Sequence, residues 1–278
     1  MSIRDLIYDA AGRMSAAGVD SARTEARILL AHAMGVSRED LIAATRQPTA
    51  EETALFESFV ARRVAREPVA YIRGRREFWS LDFKVGPGVL VPRPETETLI
   101  EQALVAFPDR TAALSIADLG AGSGALLVAA LKEFPNARGT GFERSPQAFA
   151  YAQANLVRHG MAARGGIIAA DWNKADGPFD LILSNPPYIP SADIEGLDPE
   201  VRLFEPRAAL DGGTDGFDAY RALAGLLPPL LRPGGIALLE LGLGQAEQVE
   251  PLFQGLTVVR VAPDLTGISR VLVLQASK

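Results

Sequence analysis

The sequence predicts an α/β protein: a seven-stranded, mostly parallel sheet wrapped by helices, with a small N-terminal helical bundle joined to it by a β-hairpin. Three observations carry that expectation. From about Ala113 onward, short apolar runs alternate with amphipathic segments, the pattern of a parallel sheet with crossover helices. Before residue 66 the apolar residues recur only at helical spacing. Leu181, Ile182 and Leu183 are apolar on both faces yet too few for a helix, which suits a central strand covered on both sides.

In chain order, Leu6, Ile7, Ala10, Ala11 and Met14 share a helical stripe that stops at Gly18. Asp20 or Ser21 is placed to cap a second helix carrying Ala26, Ile28, Leu29, Leu30 and Ala33, closed by Gly35. Ser37 with Asp40 and Thr49 with Glu52 have capping-box spacing, and the second pair opens a helix with Leu55, Phe56, Phe59, Val60 and Val64 on one face. This domain, residues 1–66, shows no chemistry of its own and is expected to recognise or to brace. Pro68 breaks the helical pattern, Tyr71 and Ile72 begin an extended segment, and residues 67–94 are expected as a hairpin linker. Its arms are Phe78 to Val85 and Val89 to Val91, with the turn at Gly86-Pro87-Gly88. Pro92-Arg93-Pro94 stiffens the entry to a helix running through Leu99 to Val105, and Arg93 is placed to line a substrate entrance.

The remaining domain, residues 95–278, holds the sheet. Strands are expected at Leu114–Ala117, Gly139–Phe142, Ile167–Ala169, Leu181–Leu183, Ile236–Leu241, Val258–Val261 and Val271–Leu274. Helices are expected at Ala125–Phe134, Pro146–Val157, Phe217–Leu231 and Ala246–Phe253. The long acidic stretch from Pro190 to Gly216 is expected to form a lid or a binding wall.

Composition narrows the function classes. With 48% hydrophobic and 22% charged residues, the 278-residue chain holds a sizeable core. It has no cysteine and only two histidines, His32 and His159, which removes disulfides, thiol chemistry and ordinary zinc sites, so no metal is expected. A charged N-terminus and the lack of an uncharged apolar run of about 18 residues lead us to expect a soluble, cytoplasmic protein without membrane contact, and a monomer. The net charge of −6 argues against broad contact with a nucleic-acid backbone. The dense basic spots, Arg62-Arg63 and Arg73-Gly74-Arg75-Arg76, are expected to be a solvated helix end and a hairpin base.

Chemistry concentrates where the central strand ends. In Asn185-Pro186-Pro187-Tyr188 the prolines lack an N–H, stop the ladder and hold Asn185 extended at the strand's carboxyl end, where open α/β sheets bind ligands. The side-chain carbonyl of Asn185 and the main-chain carbonyl of Pro186 are adjacent acceptors that match one NH2 group, and Tyr188 offers a flat face beside them. Holding both hydrogens favours a pyramidal nitrogen able to attack, so catalysis here rests on positioning and desolvation. Asp118-Leu119-Gly120-Ala121-Gly122-Ser123-Gly124 joins a strand to a helix and exposes backbone N–H groups to a ligand. Glu143 ends the next strand, where a ribose-binding acid is expected. The same pattern fits a nicotinamide-dependent oxidoreductase, but no Tyr-Lys or histidine hydride machinery accompanies it, and Asp118 is placed to meet a ligand ammonium group.

Asp118 to Gly124, Glu143, Asp171-Trp172 and Asn185 to Tyr188 together resemble the class I methyltransferases that use S-adenosylmethionine. The helical N-terminal domain, Tyr71-Ile72 with Gly74, Arg76 to Leu81, Val91 to Glu97, Glu205-Pro206, Asp211 to Gly216 and Asp264 to Arg270 narrow that resemblance to the release-factor glutamine methyltransferases and extend it over nearly the whole chain. The resemblance implies a Rossmann-like methyltransferase sheet, S-adenosylmethionine as cofactor and a peptide-chain release factor as substrate, methylated on the glutamine amide of its Gly-Gly-Gln loop. It implies Asn185, Pro186 and Tyr188 as catalytic, and Asn185, Pro186, Pro187, Tyr188 and Arg93 at the substrate. At the cofactor it implies Asp118, Gly120, Ala121, Gly122, Ser123, Gly124, Glu143, Asp171, Trp172 and Asn185, with Trp172 fitting adenine contact and core packing equally. Two positions depart from the family pattern: Glu143, where aspartate is usual, and Leu243, where histidine is usual. The alternatives are a ribosomal-protein glutamine, a nucleic-acid amino group, and a cofactor-binding protein without turnover.

Overall fold

Helices open the chain because its first residues offer oxygen caps followed by apolar stripes. The Ser2 hydroxyl accepts from the Asp5 N–H at 3.1 Å and the Asp5 carboxylate from the Ser2 N–H at 3.1 Å, a full capping box at the start of α1 (Ile3–Ala16). α2 (Ala22–Ala33) follows, then α3 (Arg38–Ala43), whose Ser37 accepts from the Asp40 N–H at 3.0 Å. A second full box at Thr49 and Glu52 opens α4 (Ala50–Val64), and α5 (Val69–Arg73) completes the helical series. This computed structural model describes residues 2–44 and 46–277. It divides into two compact units, Met1–Arg75 with Asp198–Phe204, and Arg76–Leu197 with Glu205–Lys278.

The first unit packs Leu6, Ala10, Met14, Leu29, Leu30, Phe56, Val60 and Ile72 into one core. Two sequence expectations change here. Tyr71 and Ile72 are helical and buried rather than extended, because a proline is tolerated at a helix start; Pro68 caps α5, and Gly74, left-handed at φ 68°, ends it. Arg63 is not on a solvated helix end. It is buried, and its guanidinium bonds Glu25 at 2.6 Å and Glu200 at 2.5 Å, while Arg66 bonds the second oxygen of Glu200 at 2.5 Å. A stretch of the long acidic segment is thereby built into the helical unit.

The second unit begins with a two-stranded sheet of β1 (Arg75–Phe78) and β2 (Leu81–Lys84). The hairpin therefore turns at Trp79 and Ser80 rather than at Gly86-Pro87-Gly88, and Val89 to Val91 is not a strand. Both turn residues are left-handed, at φ 53° and 56°, a two-residue turn made without its usual glycine or asparagine. Carboxylates hold it: Glu97 accepts from the Trp79 N–H at 2.8 Å, Glu77 from the Ser80 N–H at 2.6 Å and Glu133 from the Trp79 ring N–H at 2.8 Å.

A short 3-10 turn, Pro94–Thr96, leads into α6 (Glu97–Ala106). Then follow β3 (Ser115–Leu119), α7 (Ala125–Glu133), β4 (Arg138–Phe142), α8 (Pro146–Arg158), β5 (Gly165–Ile168) and β6 (Phe179–Ser184). α9 (Pro199–Phe204) belongs to the first unit, and α10 (Asp218–Leu230), β7 (Leu231–Glu240), α11 (Ala246–Val249), β8 (Thr257–Pro263) and β9 (Ser269–Gln275) close the chain. The sheet order is β5-β4-β3-β6-β7-β9-β8, parallel except for β9, which runs antiparallel to both neighbours. Apolar clusters cover both faces, one around Leu127, Leu181 and Leu238, the other around Ile182, Leu223 and Leu239. From β3 the order runs outward to β4 on one side and to β6 on the other, so the carboxyl ends of β3 and β6 flank the topological switch point. No helix among the described residues is long and apolar enough to cross a membrane.

Candidate active site

Both sequence motifs emerge at that switch point. In register, Asp118 of β3 lies beside Leu183 of β6 and Gly141 of β4. The buried Ser184 hydroxyl donates to the Leu119 carbonyl at 2.7 Å, tying the residue before Asn185 to the residue before Gly120. The glycine loop and the Asn-Pro-Pro-Tyr turn are therefore fixed side by side.

The loop is folded by its own backbone. The Gly120 and Ala121 N–H groups both donate to the Phe142 carbonyl at 3.0 Å, and Gly124, left-handed at φ 78°, starts α7. Glu143 clamps the loop to the next helix: its two oxygens accept from the Gly122 N–H at 2.8 Å and the Ser145 N–H at 2.7 Å. The Ser123 carbonyl accepts from the buried Asn155 amide at 2.9 Å, which also holds both backbone groups of Lys84. A side chain at Gly120 would be strained by its φ of 84°, and an added Cβ would press on the Trp172 ring at 3.3 Å.

A pocket of about 810 Å3, counting its open mouth, lies over these ends. Gly120, Gly122, Glu143, Asp171, Trp172, Asn185 and Pro187 line it, and Pro206, Ala208 and Ala209 of the long acidic segment form a wall. Asp118, Ala121, Ser123, Gly124, Pro186, Tyr188 and Arg93 are not among its lining residues, Asp118 lying buried beneath the loop. Trp172 packs on the apolar cluster and also lines the pocket. The wall is pinned by Glu205, whose oxygens accept from the Val91 N–H at 3.0 Å and the Arg93 guanidinium at 2.5 Å. Arg93 is thus engaged by a buried carboxylate, with its side chain one third exposed.

Asp118 is 1% exposed; one oxygen accepts from the Leu127 N–H at 3.1 Å, and Oδ1 has no partner among the described residues. Burial, and then the nearby Glu143 charge, push its carboxyl up to about 7. An orphaned buried carboxylate oxygen under a glycine loop is a fit for a ligand cation. Among the described residues no cluster of three or more histidines or carboxylates is placed to hold a metal ion.

The Asn-Pro-Pro-Tyr turn is held from behind by residues that sequence reasoning missed. The Asn185 amide nitrogen donates to the Thr96 hydroxyl at 3.1 Å, Thr96 donates to Glu240 at 2.6 Å, and the Tyr188 hydroxyl donates to the other Glu240 oxygen at 3.2 Å. Glu240 is 1% exposed; burial raises its carboxyl to about 7 against the lowering effect of Thr96, Arg270 and Tyr188. Burial also raises the Tyr188 phenol, which stays protonated. The signal was present: Glu240 is the one charge in the apolar run Ile236 to Leu241. The glycines of Asp211 to Gly216 allow that loop to lie on the turn's backbone, since a Cβ at Gly216 would stand 2.5 Å from the Tyr188 carbonyl and one at Gly212 2.9 Å from that of Pro187. Leu243, where the family pattern has histidine, is exposed.

Comparison with known proteins places the chain in a family. Residues 5–74 match a family model described as PrmC N-terminal domain, and residues 96–196 one described as methyltransferase small domain. A release factor glutamine methyltransferase of Geobacter sulfurreducens is 46% identical over 97% of this chain and 95% of its own length. That of Caulobacter vibrioides is 43% identical over 93% and 91%. A solved methyltransferase from Pyrococcus furiosus shares the fold at a TM-score of 0.51 and 20% identity, covering 78% of this chain and 98% of that one.

Proposed function

The chain belongs to the release factor glutamine methyltransferase family, and from that premise we propose that it methylates the side-chain amide nitrogen of the glutamine in the Gly-Gly-Gln motif of a peptide-chain release factor, using S-adenosylmethionine. One observation carries the proposal. Asn185 and Pro187 of the strand end line the same pocket as Gly120, Gly122 and Glu143, which favours a site where a planar NH2 group and a nucleoside ligand meet. S-adenosylmethionine supplies an electrophilic methyl group on a sulfonium.

The protein's own residues do the rest. Glu143 presents a carboxylate to the ribose hydroxyls while holding the loop, and the longer side chain keeps the acceptor chemistry of aspartate. Asp118 takes the ammonium group on Oδ1, the oxygen without a partner among the described residues. Trp172 and Asp171 form the adenine end. Asn185 Oδ1 and the Pro186 carbonyl accept the two amide hydrogens, with Tyr188 packed beside them. With S-adenosylmethionine held alongside, these two acceptors would orient the nitrogen toward the methyl group and pass the proton it sheds on alkylation to solvent. No general base is needed, because proximity and a dry site lower the barrier.

The test is transfer of labelled methyl to a purified release factor, beside a variant whose Gly-Gly-Gln glutamine is alanine. Label on the first and none on the second is expected. Equal label on both overturns the assignment of the target residue, and label on neither overturns the substrate.

A further inference from the structure

We propose that Glu240, acting through the Thr96 hydroxyl, is a positioning device that fixes which end of the Asn185 amide faces the substrate. This rests on the proposed transfer at Asn185. The Asn185 amide has two ends of nearly equal size, and rotation by 180° exchanges an acceptor for a donor. Only the orientation with Oδ1 toward the pocket receives a substrate NH2; the other sets donor against donor.

The hydrogen bonds decide between them. An ionised carboxylate has no proton to give, so at 2.6 Å the single Thr96 hydroxyl proton must point at Glu240. Thr96 then offers Asn185 only lone pairs, and the NH2 end of the amide turns to it at 3.1 Å. The carbonyl is left for the substrate. The second Glu240 oxygen is taken up by the Tyr188 hydroxyl, so one carboxylate orders both polar side chains of the turn. The charge is costly where it stands: its strand neighbours Leu238, Leu239 and Leu241 are aliphatic and buried, and burying a carboxylate costs free energy that its bonds to Thr96 and Tyr188 and the facing Arg270 must offset.

Protonation of Glu240 releases the device, since Thr96 is then free to donate to Asn185 Oδ1 and the amide can turn over. The charged and titratable groups facing Glu240 are Arg270, Glu95, Tyr188 and Tyr220, whose hydroxyl donates to the Glu240 main-chain carbonyl at 2.9 Å. Asp118 titrates in the same range, but within the glycine loop.

The experiment measures single-turnover methyl transfer to release factor and S-adenosylmethionine affinity in Thr96→Val, Thr96→Ser and Glu240→Gln. Thr96→Val removes the relay and is expected to slow transfer about 10- to 100-fold with affinity unchanged within about twofold. Thr96→Ser, which keeps the hydroxyl, restores the rate to within about threefold of the parent. The parent loses rate as pH falls below about 7, and Glu240→Gln flattens that limb. Transfer by Thr96→Val at the parental rate, or an equal loss in Thr96→Ser, overturns the inference. So does an acid limb that survives in Glu240→Gln at saturating S-adenosylmethionine, where the titration of Asp118 in the glycine loop does not limit transfer. The device is also read without substrate: the Asn185 side-chain amide signals of 15N-labelled protein are expected to shift through pH 7 in the parent and not in Glu240→Gln, and invariant parental signals overturn it. Failure of the parent to label release factor, with that titration intact, rejects the substrate assignment and not the device.

Discussion

The two ends of the pocket are built by opposite means. At the glycine loop, shape comes from backbone bonded to backbone, with Asp118, Glu143 and Asn155 as clamps supplied by consecutive strand–helix units. At the Asn-Pro-Pro-Tyr turn, shape comes from side chains collected from Thr96, Glu240 and Gln245, whose amide donates to the Tyr188 carbonyl at 2.8 Å. The first design suits a ligand recognised by its outline. The second suits a reaction, in which one acceptor must be aimed and its donor and acceptor ends told apart.

The contrast sharpens under substitution. Gly216→Val is expected to strike the turn hardest: its φ of 81° is strained for a side chain, and the new Cβ would stand 2.5 Å from the Tyr188 carbonyl. A loss of about 3 kcal/mol in stability and of measurable transfer is expected, read by chemical denaturation and methyl labelling. Gly120→Val attacks the other end, at φ 84° and against the Trp172 ring. Titration calorimetry is expected to show S-adenosylmethionine affinity reduced about 10- to 100-fold, with release-factor binding kept.

Asp118→Asn separates the ends by pH. The folded carboxyl sits at about 7 and the unfolded one near 3.8, so between these values the unfolded chain gives up a proton that the folded chain keeps. Folding stability therefore falls as pH rises from 3.8 to 7, and asparagine removes that loss. The variant is expected to melt a few degrees above the parent at pH 8 and at the same temperature at pH 4, while binding S-adenosylmethionine more weakly. The smallest effect is expected from Glu205→Ala, which frees the Val91 N–H and Arg93 and loosens the pocket wall, at about 1–3 kcal/mol. Its melting point is expected to fall and its cofactor affinity to drop only a few-fold.

The same contrast explains what was legible in the sequence. Asp118 to Gly124 and Glu143 are carried by consecutive strand–helix units, so parallel-sheet topology alone brings them together. Asn185 to Tyr188 announced itself by its prolines. Glu240 stood out only as a lone charge in an apolar run, and its pairing with Thr96 was hidden, because 144 residues separate them and their meeting depends on α6 packing beside β7, which no local pattern encodes. Trp79-Ser80 escaped for a different reason: a turn normally marked by glycine is held here by Glu77, Glu97 and Glu133. The Arg63–Glu200 pair shows the same limit, since helix α9 is drawn into the first unit by partners more than 130 residues away.

The most direct measurement is the pair of numbers for Asn185→Ala: its S-adenosylmethionine dissociation constant by calorimetry, and its single-turnover rate of methyl transfer to release factor. Affinity within about threefold of the parent and a rate reduced by about 100-fold or more are expected, because the proposed reaction uses the lost carbonyl to hold the reacting amide. An unchanged rate, or affinity and rate falling by the same factor, would contradict the division of the pocket into an end that holds and an end that aims.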